Sequence, residues 1–195
     1  MKAKKFKPVK IIPFYTNEKQ LIKKACSGNG EAQKHLYEKH APKMLSVCRQ
    51  YIKDVAFAED VMIMGFVKVF TYLDTFKFEG SFEGWIRKIM VREAITHLRK
   101  NQFVVFDDEV YDRHTNHQIE VASDIDIEEI QRLIDQLPEG YKMVFVLYAV
   151  EGYKHAEIAT MLQISESTSK SQLFKARRIL QEKLKETKRI GYGTN

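Results

Sequence analysis

Polar and basic side chains cluster near the carboxyl end of this 195-residue sequence, where eight basic residues between 167 and 189 stand against two acids. Leu173, Ala176 and Leu180 recur there at helical spacing, which predicts a helix with one apolar face. Positive charge beside short polar side chains suits contacts to DNA phosphates and base edges. The residues that we expect on the outer face and N-terminal end of this helix are Ser167, Thr168, Lys170, Ser171, Gln172, Lys175, Arg177 and Arg178.

Different side chains on this outer face suit different parts of DNA. Gln172 is suited to pair with adenine, and Lys170 with guanine or a phosphate. Arg177 and Arg178 are suited to phosphates, which position a protein without specifying a sequence. The alternative is an ordinary helical hairpin with a solvated face, because such patterns are short.

A second helix is predicted just before this one, so that residues 153–180 have the pattern of a helix-turn-helix. Ile158, Ala159 and Leu162 form its inner face, and Ala159 is small where the next helix must cross closely. Ser165 is suited to cap that next helix. Gln163 stands in the turn where glycine is common, which costs about 1 kcal/mol if the position requires a positive φ.

Another basic stretch, residues 84–100, carries five basic residues and one acid, with aromatic residues just before and at its start. Aromatic rings beside cations suit single-stranded DNA, because a base stacks on a ring with about 1–3 kcal/mol while phosphates meet the charges. Each ring is also a candidate for the core, and Trp85 and Ile89 are expected to pack inward together. The aromatics are Phe76, Phe78, Phe82 and Trp85, and the basic residues are Arg87, Lys88, Arg92, Arg99 and Lys100.

The predicted helix at 58–70 is apolar on nearly every side. A helix of this kind is either central to its domain or uses one face to bind a partner. Its apolar residues are Val61, Met62, Ile63, Met64, Phe66, Val67, Val69 and Phe70.

Other chemistry finds little support in the sequence. His114 and His117 have a ligand-like spacing, but no cysteine or carboxylate pattern completes a metal site. Glycine-rich phosphate loops and nucleophile motifs are missing, so we expect no metal, no cofactor and no enzymatic activity. Cys26 and Cys48 fit helical patterns as reduced thiols. With no signal peptide and no run of about 18 apolar residues, we expect a cytoplasmic protein without membrane insertion.

The whole chain is predicted to be all-α, because apolar residues recur every three or four positions and only four prolines interrupt them. Two small helical domains are joined by a flexible acidic linker, and residues 104–130 contain nine acids and one arginine. The predicted parts are a basic tail at 1–17, a helical domain at 18–102, the linker at 103–125, a helix-turn-helix domain at 126–186 and a C-terminal tail at 187–195.

Four stretches in this order resemble the extracytoplasmic-function (ECF) group of bacterial RNA polymerase sigma factors. They are AEDVMIMGFVKVFTYLDTF at 58–76, FEGSFEGWIRKIMVREAITHLRKN at 78–101, LPEGYKMVFVLYAVEGYKHAEIATML at 137–162 and SESTSKSQLFKARRIL at 165–180. The resemblance implies a protein that binds core RNA polymerase, recognises the −35 and −10 promoter elements and helps to open the duplex. It also implies an anti-sigma factor as a candidate partner.

The resemblance assigns each part a role. Residues 18–102 would bind polymerase and the −10 element, and residues 126–186 would bind the −35 element through the outer face defined above. Polymerase contacts would come from Glu59, Asp60, Ile63, Phe66, Val67 and Lys68. Contacts to the −10 element and its melted strand would come from Phe82, Trp85, Arg87, Lys88, Arg92, Thr96, His97, Arg99 and Lys100.

The sequence departs from the family pattern at two pairs of positions. Ile63 and Met64 replace a polar pair, which makes the predicted polymerase contact more apolar than usual. Arg92 and Thr96 stand where the family usually has Asn and Asp, and the added positive charge favours non-specific DNA affinity.

The linker has two interpretations, a nucleic-acid mimic that threads through the polymerase and a solvated spacer. The alternative function is a stand-alone helix-turn-helix regulator, in which 18–102 is an interaction or dimerisation module. A polymerase-binding antagonist without DNA contact is a third.

Overall fold

The computed structural model describes residues 17–100 and 127–191, and within these ranges it contains helices and no strand. The predicted all-α class is therefore confirmed. The described helices are α1 (Glu18–Cys26), α2 (Gly30–Tyr51), α3 (Val55–Thr71), α4 (Phe82–Lys100), α5 (Ile127–Asp135), α6 (Glu139–Phe145), α7 (His155–Leu162) and α8 (Glu166–Gly191). A 3₁₀ turn follows α3 at Leu73–Thr75, and a π-helical segment follows α6 at Val146–Val150.

Several predictions fall outside the described residues. They concern the acidic linker, most of the basic N-terminal tail and the histidines His114 and His117. The C-terminal helix continues to Gly191, beyond its predicted end at 186. Among the residues that are described, no helix combines the length and apolarity needed to cross a membrane.

Side-chain caps explain where several helices begin. The oxygens of Asn17, Asn29 and Asp54 accept hydrogen bonds from backbone N–H groups in the first turns of α1, α2 and α3. These N–H groups have no partner inside the helix, so each cap contributes about 1 kcal/mol. The caps fix short connections between α1, α2 and α3, and these helices therefore pack as neighbours.

Helix α3 packs against α2 and α4, which also pack against each other, and the three helices form the core of the first domain. Ala58, Val61 and Val69 are among its buried residues. Gly65 faces α4 so closely that a Cβ atom there would lie 2.3 Å from the Met90 sulfur. A side chain at this position would have to displace the end of the buried Met90 side chain, so glycine leaves the room that Met90 fills.

The second domain packs α5, α6 and α7 around the first half of α8. Leu133 and Ile134 of α5 are buried, as is Leu137 just after the helix ends, whereas Ile130 is an exposed hydrophobic residue. The short helix therefore meets the core with its last turn.

A buried ion pair fixes the start of α6 against the end of α5. The Lys142 side chain is 1% exposed, and its Nζ lies 2.6 Å from Asp135 Oδ1. Burial lowers the pKa of Lys142, while the hydrogen bond to Asp135 opposes that shift. The charged lysine therefore depends on its carboxylate partner for compensation.

We expect Asp135→Asn to lower the free energy of unfolding by about 2 kcal/mol, because it leaves the buried ammonium without its counter-charge. The loss falls below the 3–5 kcal/mol typical of fully buried pairs, because the Asp135 side chain is 23% exposed. Lys142→Met is the matched control and should be nearly neutral, since it removes the charge that needs compensation. Urea titration of both variants measures the difference. A larger loss for Lys142→Met than for Asp135→Asn would contradict this account.

Candidate nucleic-acid interface

Helices α7 and α8 form the predicted helix-turn-helix, and its turn has the predicted features. Gln163 adopts the left-handed conformation with φ 57° and ψ 45°. Ser165 Oγ accepts a hydrogen bond from the Thr168 backbone N–H at 2.9 Å, which confirms the predicted cap of α8. Glutamine therefore occupies a conformation that glycine adopts without strain.

The N-terminal half of α8 places only part of the predicted outer face in solvent. Ser167, Lys170, Arg177 and Arg178 are exposed, and Lys175 is half-buried. Lys170 Nζ lies 2.8 Å from Glu166 Oε1, one turn earlier on the same helix. The exposed side chains still include three of the four cations that the sequence assigned to DNA.

The predicted outer positions of Thr168, Ser171 and Gln172 are wrong, because all three side chains are buried. The Thr168 hydroxyl lies 2.6 Å from Ser165 Oγ, and the Ser171 hydroxyl donates to the Thr168 carbonyl at 3.0 Å. Gln172, which is 0% exposed, belongs to the same inner stripe as Ser169, Leu173 and Ala176. Polar residue type misled the prediction, since a buried stripe accepts polar side chains that find local partners.

A histidine that the sequence did not single out connects α7 with α8. His155 Nδ1 lies 2.9 Å from Ser169 Oγ, and its ring stacks on Tyr148 with 4.7 Å between centroids. The Arg177 guanidinium lies 5.6 Å from the centroid of the same tyrosine ring. Burial, followed by the charge of Lys170, lowers the pKa of His155. A neutral His155 therefore holds the two helices of the motif beside their exposed cations.

Helix α4 presents a second cationic surface. Lys88, Arg92, Thr96, Arg99 and Lys100 are exposed, whereas Arg87 and His97 are partly buried. The Thr96 hydroxyl donates to the carbonyl of Arg92 at 2.8 Å, one turn before it. The cations follow one another along the helix toward its C-terminal end, where the helix dipole favours positive charge.

The aromatic residues at the start of α4 pack on one another. Phe82 is buried and stacks on the half-buried Trp85 with 5.8 Å between ring centroids, and Phe76 contacts both. Phe82 is therefore a core residue and does not offer a free face to a base. Ile89 also packs on the core, in agreement with the predicted inward direction of Trp85 and Ile89.

Of the six residues of α3 that were predicted to contact polymerase, five are exposed and one is buried. Glu59, Asp60, Ile63, Val67 and Lys68 are exposed. Phe66 is not, because it is 3% exposed and packs edge-on against Tyr37 at 4.8 Å, so its predicted surface position is wrong.

The exposed face of α3 is more extensive than the sequence indicated. Val55 and Phe57 at its start are exposed, as are Ile63, Met64 and Val67 further along. We call these five residues the α3 apolar surface. Phe57 precedes the motif at 58–76 and was not predicted, although its apolar type at an exposed helix start was a usable signal.

The two domains contact each other through polar side chains. Arg87 of α4 forms two hydrogen bonds of 2.7 Å to the carboxylate of Glu151, which follows the π-helical segment. Arg99 donates to the side-chain oxygen of Gln163 in the turn of the helix-turn-helix. Lys53 Nζ lies 3.3 Å from Glu139 Oε1. None of these contacts was predicted from the sequence.

Metal ligation is not supported in the part of the chain that the structure describes, where no group of three or more His, Cys, Asp or Glu side chains comes together. Cys26 is exposed and Cys48 is buried, and burial raises the pKa of the Cys48 thiol to about 12. These two thiols are not joined in a disulfide.

Two family models match the chain, each on one of its domains. The model of Sigma-70 region 2 matches residues 36–104, and that of Sigma-70, region 4 matches residues 127–180. The chain belongs to the sigma-70 family of RNA polymerase sigma factors, which act in transcription initiation. Within that family it is a member of the ECF group.

Curated relatives resemble the chain over nearly their full length. The RNA polymerase sigma-H factor of Pseudomonas aeruginosa is 24% identical, over 86% of this chain and 93% of the relative. The ECF RNA polymerase sigma factor SigW of Bacillus subtilis is 25% identical, over 86% of this chain and 97% of the relative. The sigma factor RpoE from Bartonella quintana, solved in complex with the anti-sigma factor NepR, has a similar fold with TM-score 0.50 and 22% identity, over 78% of this chain and 96% of that structure.

We expect Gln163→Gly to be more stable than Gln163→Ala by about 1 kcal/mol, because alanine retains the left-handed strain and glycine does not. Both variants lose the Gln163 contact with Arg99, so the difference between their free energies of unfolding isolates the cost of the left-handed backbone conformation. Thermal and urea unfolding measure it. Equal stability of the two variants would show that the turn changes its conformation to suit the residue.

Proposed function

We propose that the exposed surfaces of the two domains divide promoter recognition and polymerase binding among α3, α4 and α8. The observation that carries this assignment is an exposed apolar surface on α3 together with two separate rows of exposed cations, one on α4 and one on α8. An apolar surface suits a protein partner, and rows of cations suit nucleic-acid phosphates. Each surface also lies in the domain whose family region performs the corresponding task.

The α3 apolar surface is the candidate contact with core RNA polymerase. Its middle residues Ile63, Met64 and Val67 are each about half exposed, and Met64 reaches 54%. Nearby, Lys68 bridges to Glu93 of α4 at 2.5 Å, which fixes α3 relative to α4. A methionine among branched side chains adapts to the shape of its partner, so the contact is suited to bury apolar area.

The exposed cations of α4 are the candidate contact with the −10 region. Arg92 and Thr96 lie one turn apart on the exposed side, and Arg99 and Lys100 extend that row. Of the aromatics, Trp85 is half-buried while Phe82 is buried. We therefore assign base stacking to Trp85, and Phe82 supports the Trp85 ring from the core.

The exposed side of α8 is the candidate contact with the −35 element. Ser167 and Lys170 lie in its first turns, near the end that enters the major groove in this motif. Arg177 and Arg178 lie two to three turns later, at positions suited to phosphates. Base contacts therefore depend on fewer side chains than the sequence indicated.

We propose further that the protein performs no catalysis of its own and acts in the cytoplasm, where it meets polymerase and DNA. An anti-sigma factor is a suitable third partner. The Bartonella quintana sigma factor of similar fold is described in complex with one. A protein that covered the α3 apolar surface would compete directly with polymerase.

We expect the double variant Met64→Asp with Val67→Asp to bind core polymerase more than tenfold more weakly, because it places charge in an apolar contact. The domain should keep its stability, since both side chains are exposed in the free protein. Ile130→Asp, the same change at an exposed apolar residue of the other domain, is the control. Fluorescence titration with core polymerase measures the affinities. Unchanged affinity of the double variant would remove α3 from the interface.

Lys170→Ala with Arg177→Ala should lower promoter-specific transcription with core polymerase, and should reduce the salt slope of DNA binding by about two. The charge-matched control is Lys23→Ala with Lys34→Ala, at exposed positions of α1 and α2. Runoff transcription from genomic fragments selected with the reconstituted polymerase measures the first effect. Binding of the same fragments at several salt concentrations measures the salt slope. Full activity of the first double variant would refute the assignment of α8.

The same assay separates the sigma factor from a stand-alone regulator. A sigma factor gives specific transcripts only in the presence of core polymerase. Tight specific binding to duplex by the protein alone, with no specific initiation, would favour the regulator.

A further inference from the structure

Met64 is the most exposed methionine within residues 17–100 and 127–191, the ranges that the structure describes. It is 54% exposed, whereas Met62, two positions earlier on the same helix, is 6% exposed. The other methionines of these ranges are buried or half-buried, and they are Met44, Met90, Met143 and Met161. Thioethers that are packed in a core are shielded from dissolved reagents, so Met64 is the thioether that an oxidant in solution reaches first.

Met64 lies in the middle of the α3 apolar surface. Ile63 beside it and Val67 three positions later are each about half exposed, and residues at these spacings are neighbours on a helical surface. Asp60 and Lys68, four positions before and after Met64, are also exposed and give this surface a charged edge at either end. A change of polarity at Met64 therefore affects the centre of the apolar surface and not its edge.

The thioether of methionine reacts with hydrogen peroxide in one two-electron step. A sulfur lone pair attacks one peroxide oxygen, the O–O bond breaks as the S–O bond forms, and the other oxygen takes up the proton of the first and leaves as water. The product is a sulfoxide, which is polar and accepts hydrogen bonds. The reverse step consumes two thiols, which become a disulfide while the sulfoxide oxygen leaves as water, and methionine sulfoxide reductases catalyse it.

We propose that Met64 is a reversible oxidation site, at which a hydroperoxide converts the centre of the α3 apolar surface into a polar one and thereby weakens binding of core polymerase. The oxidised protein keeps its fold, because the modified side chain lies in solvent. In the complex the sulfoxide loses its water without gaining a hydrogen-bond donor from an apolar contact, which is unfavourable. The effect on polymerase rests on the function proposed above, whereas the selective oxidation of Met64 does not.

Peptide mass spectrometry of the full chain after graded exposure to hydrogen peroxide tests the site itself. All samples carry Cys26→Ser, because the exposed Cys26 thiol also reacts with peroxide. Cys48 can stay, since it is buried and burial raises its pKa to about 12, so the reactive thiolate is scarce. Fragment ions distinguish Met64 from Met62, and we expect Met64 to be oxidised about tenfold faster. Equal rates at the two methionines would overturn the proposal.

Fluorescence titration with core polymerase, before and after peroxide treatment, tests the consequence. Catalase removes the peroxide before mixing, so the polymerase itself is never oxidised. We expect treatment to weaken binding about tenfold, and methionine sulfoxide reductases for both sulfoxide epimers to restore it. Met161→Leu, the matched control in the other domain, should respond to treatment in the same way. Met64→Leu should give the same affinity before and after treatment, because it lacks the exposed thioether.

The possible failures can be told apart. A loss of affinity in treated Met64→Leu, or a lowered unfolding temperature of the oxidised protein, would place the effect elsewhere and overturn the proposal. If Met64→Asp with Val67→Asp weakens polymerase binding but the sulfoxide does not, the inference is wrong while the proposed function stands. If neither change weakens binding, the assignment of α3 to polymerase is wrong as well.

Discussion

The packing of α3 against α2 and α4 is the interaction on which the first domain depends. Gly65 lets α3 approach Met90 of α4, and the close crossing buries one side of a helix that is apolar nearly all round. The other side then remains in solvent, because the domain has no further helix to cover it among the described residues. The packing of α3 therefore produces both the core of the domain and its most apolar surface. The exposed cations of α4 lie on the adjacent helix, so the surfaces proposed for protein and DNA are fixed relative to each other.

Much of this arrangement was predictable from local patterns. The spacing of Leu173, Ala176 and Leu180 gave the inner face of α8, and the serine at 165 gave its cap. Gln163 was recognisable as a residue in a glycine position, since a turn between two helices requires a left-handed residue. These features depend on neighbours within one or two turns, which periodicity reports directly.

The type of a residue was a poor guide to whether its side chain is buried or exposed at several positions. Gln172 is polar and buried, while Phe66 and Phe82 are aromatic residues of the core that the family pattern assigned to partners. A family motif conserves the positions of both core and surface residues, and it does not say which is which. Contacts such as Arg87 with Glu151 leave no trace in a periodic pattern at all. The two residues are 64 positions apart in the sequence and meet only because the two domains contact each other.

The π-helical segment at Val146–Val150 has a consequence for the helix-turn-helix that follows it. A π turn accommodates one residue more than an α turn, and such insertions are common at functional positions. Each residue of an α-helix advances the chain by about 100° around the axis, so removal of that extra residue would rotate everything downstream by roughly that angle. The direction in which α7 and α8 leave α6 is thus set by a single added residue. Because α6 and α8 pack together in the core of the second domain, insertion or loss of one codon here would break that packing, so the number of residues in this segment is as constrained as the core itself.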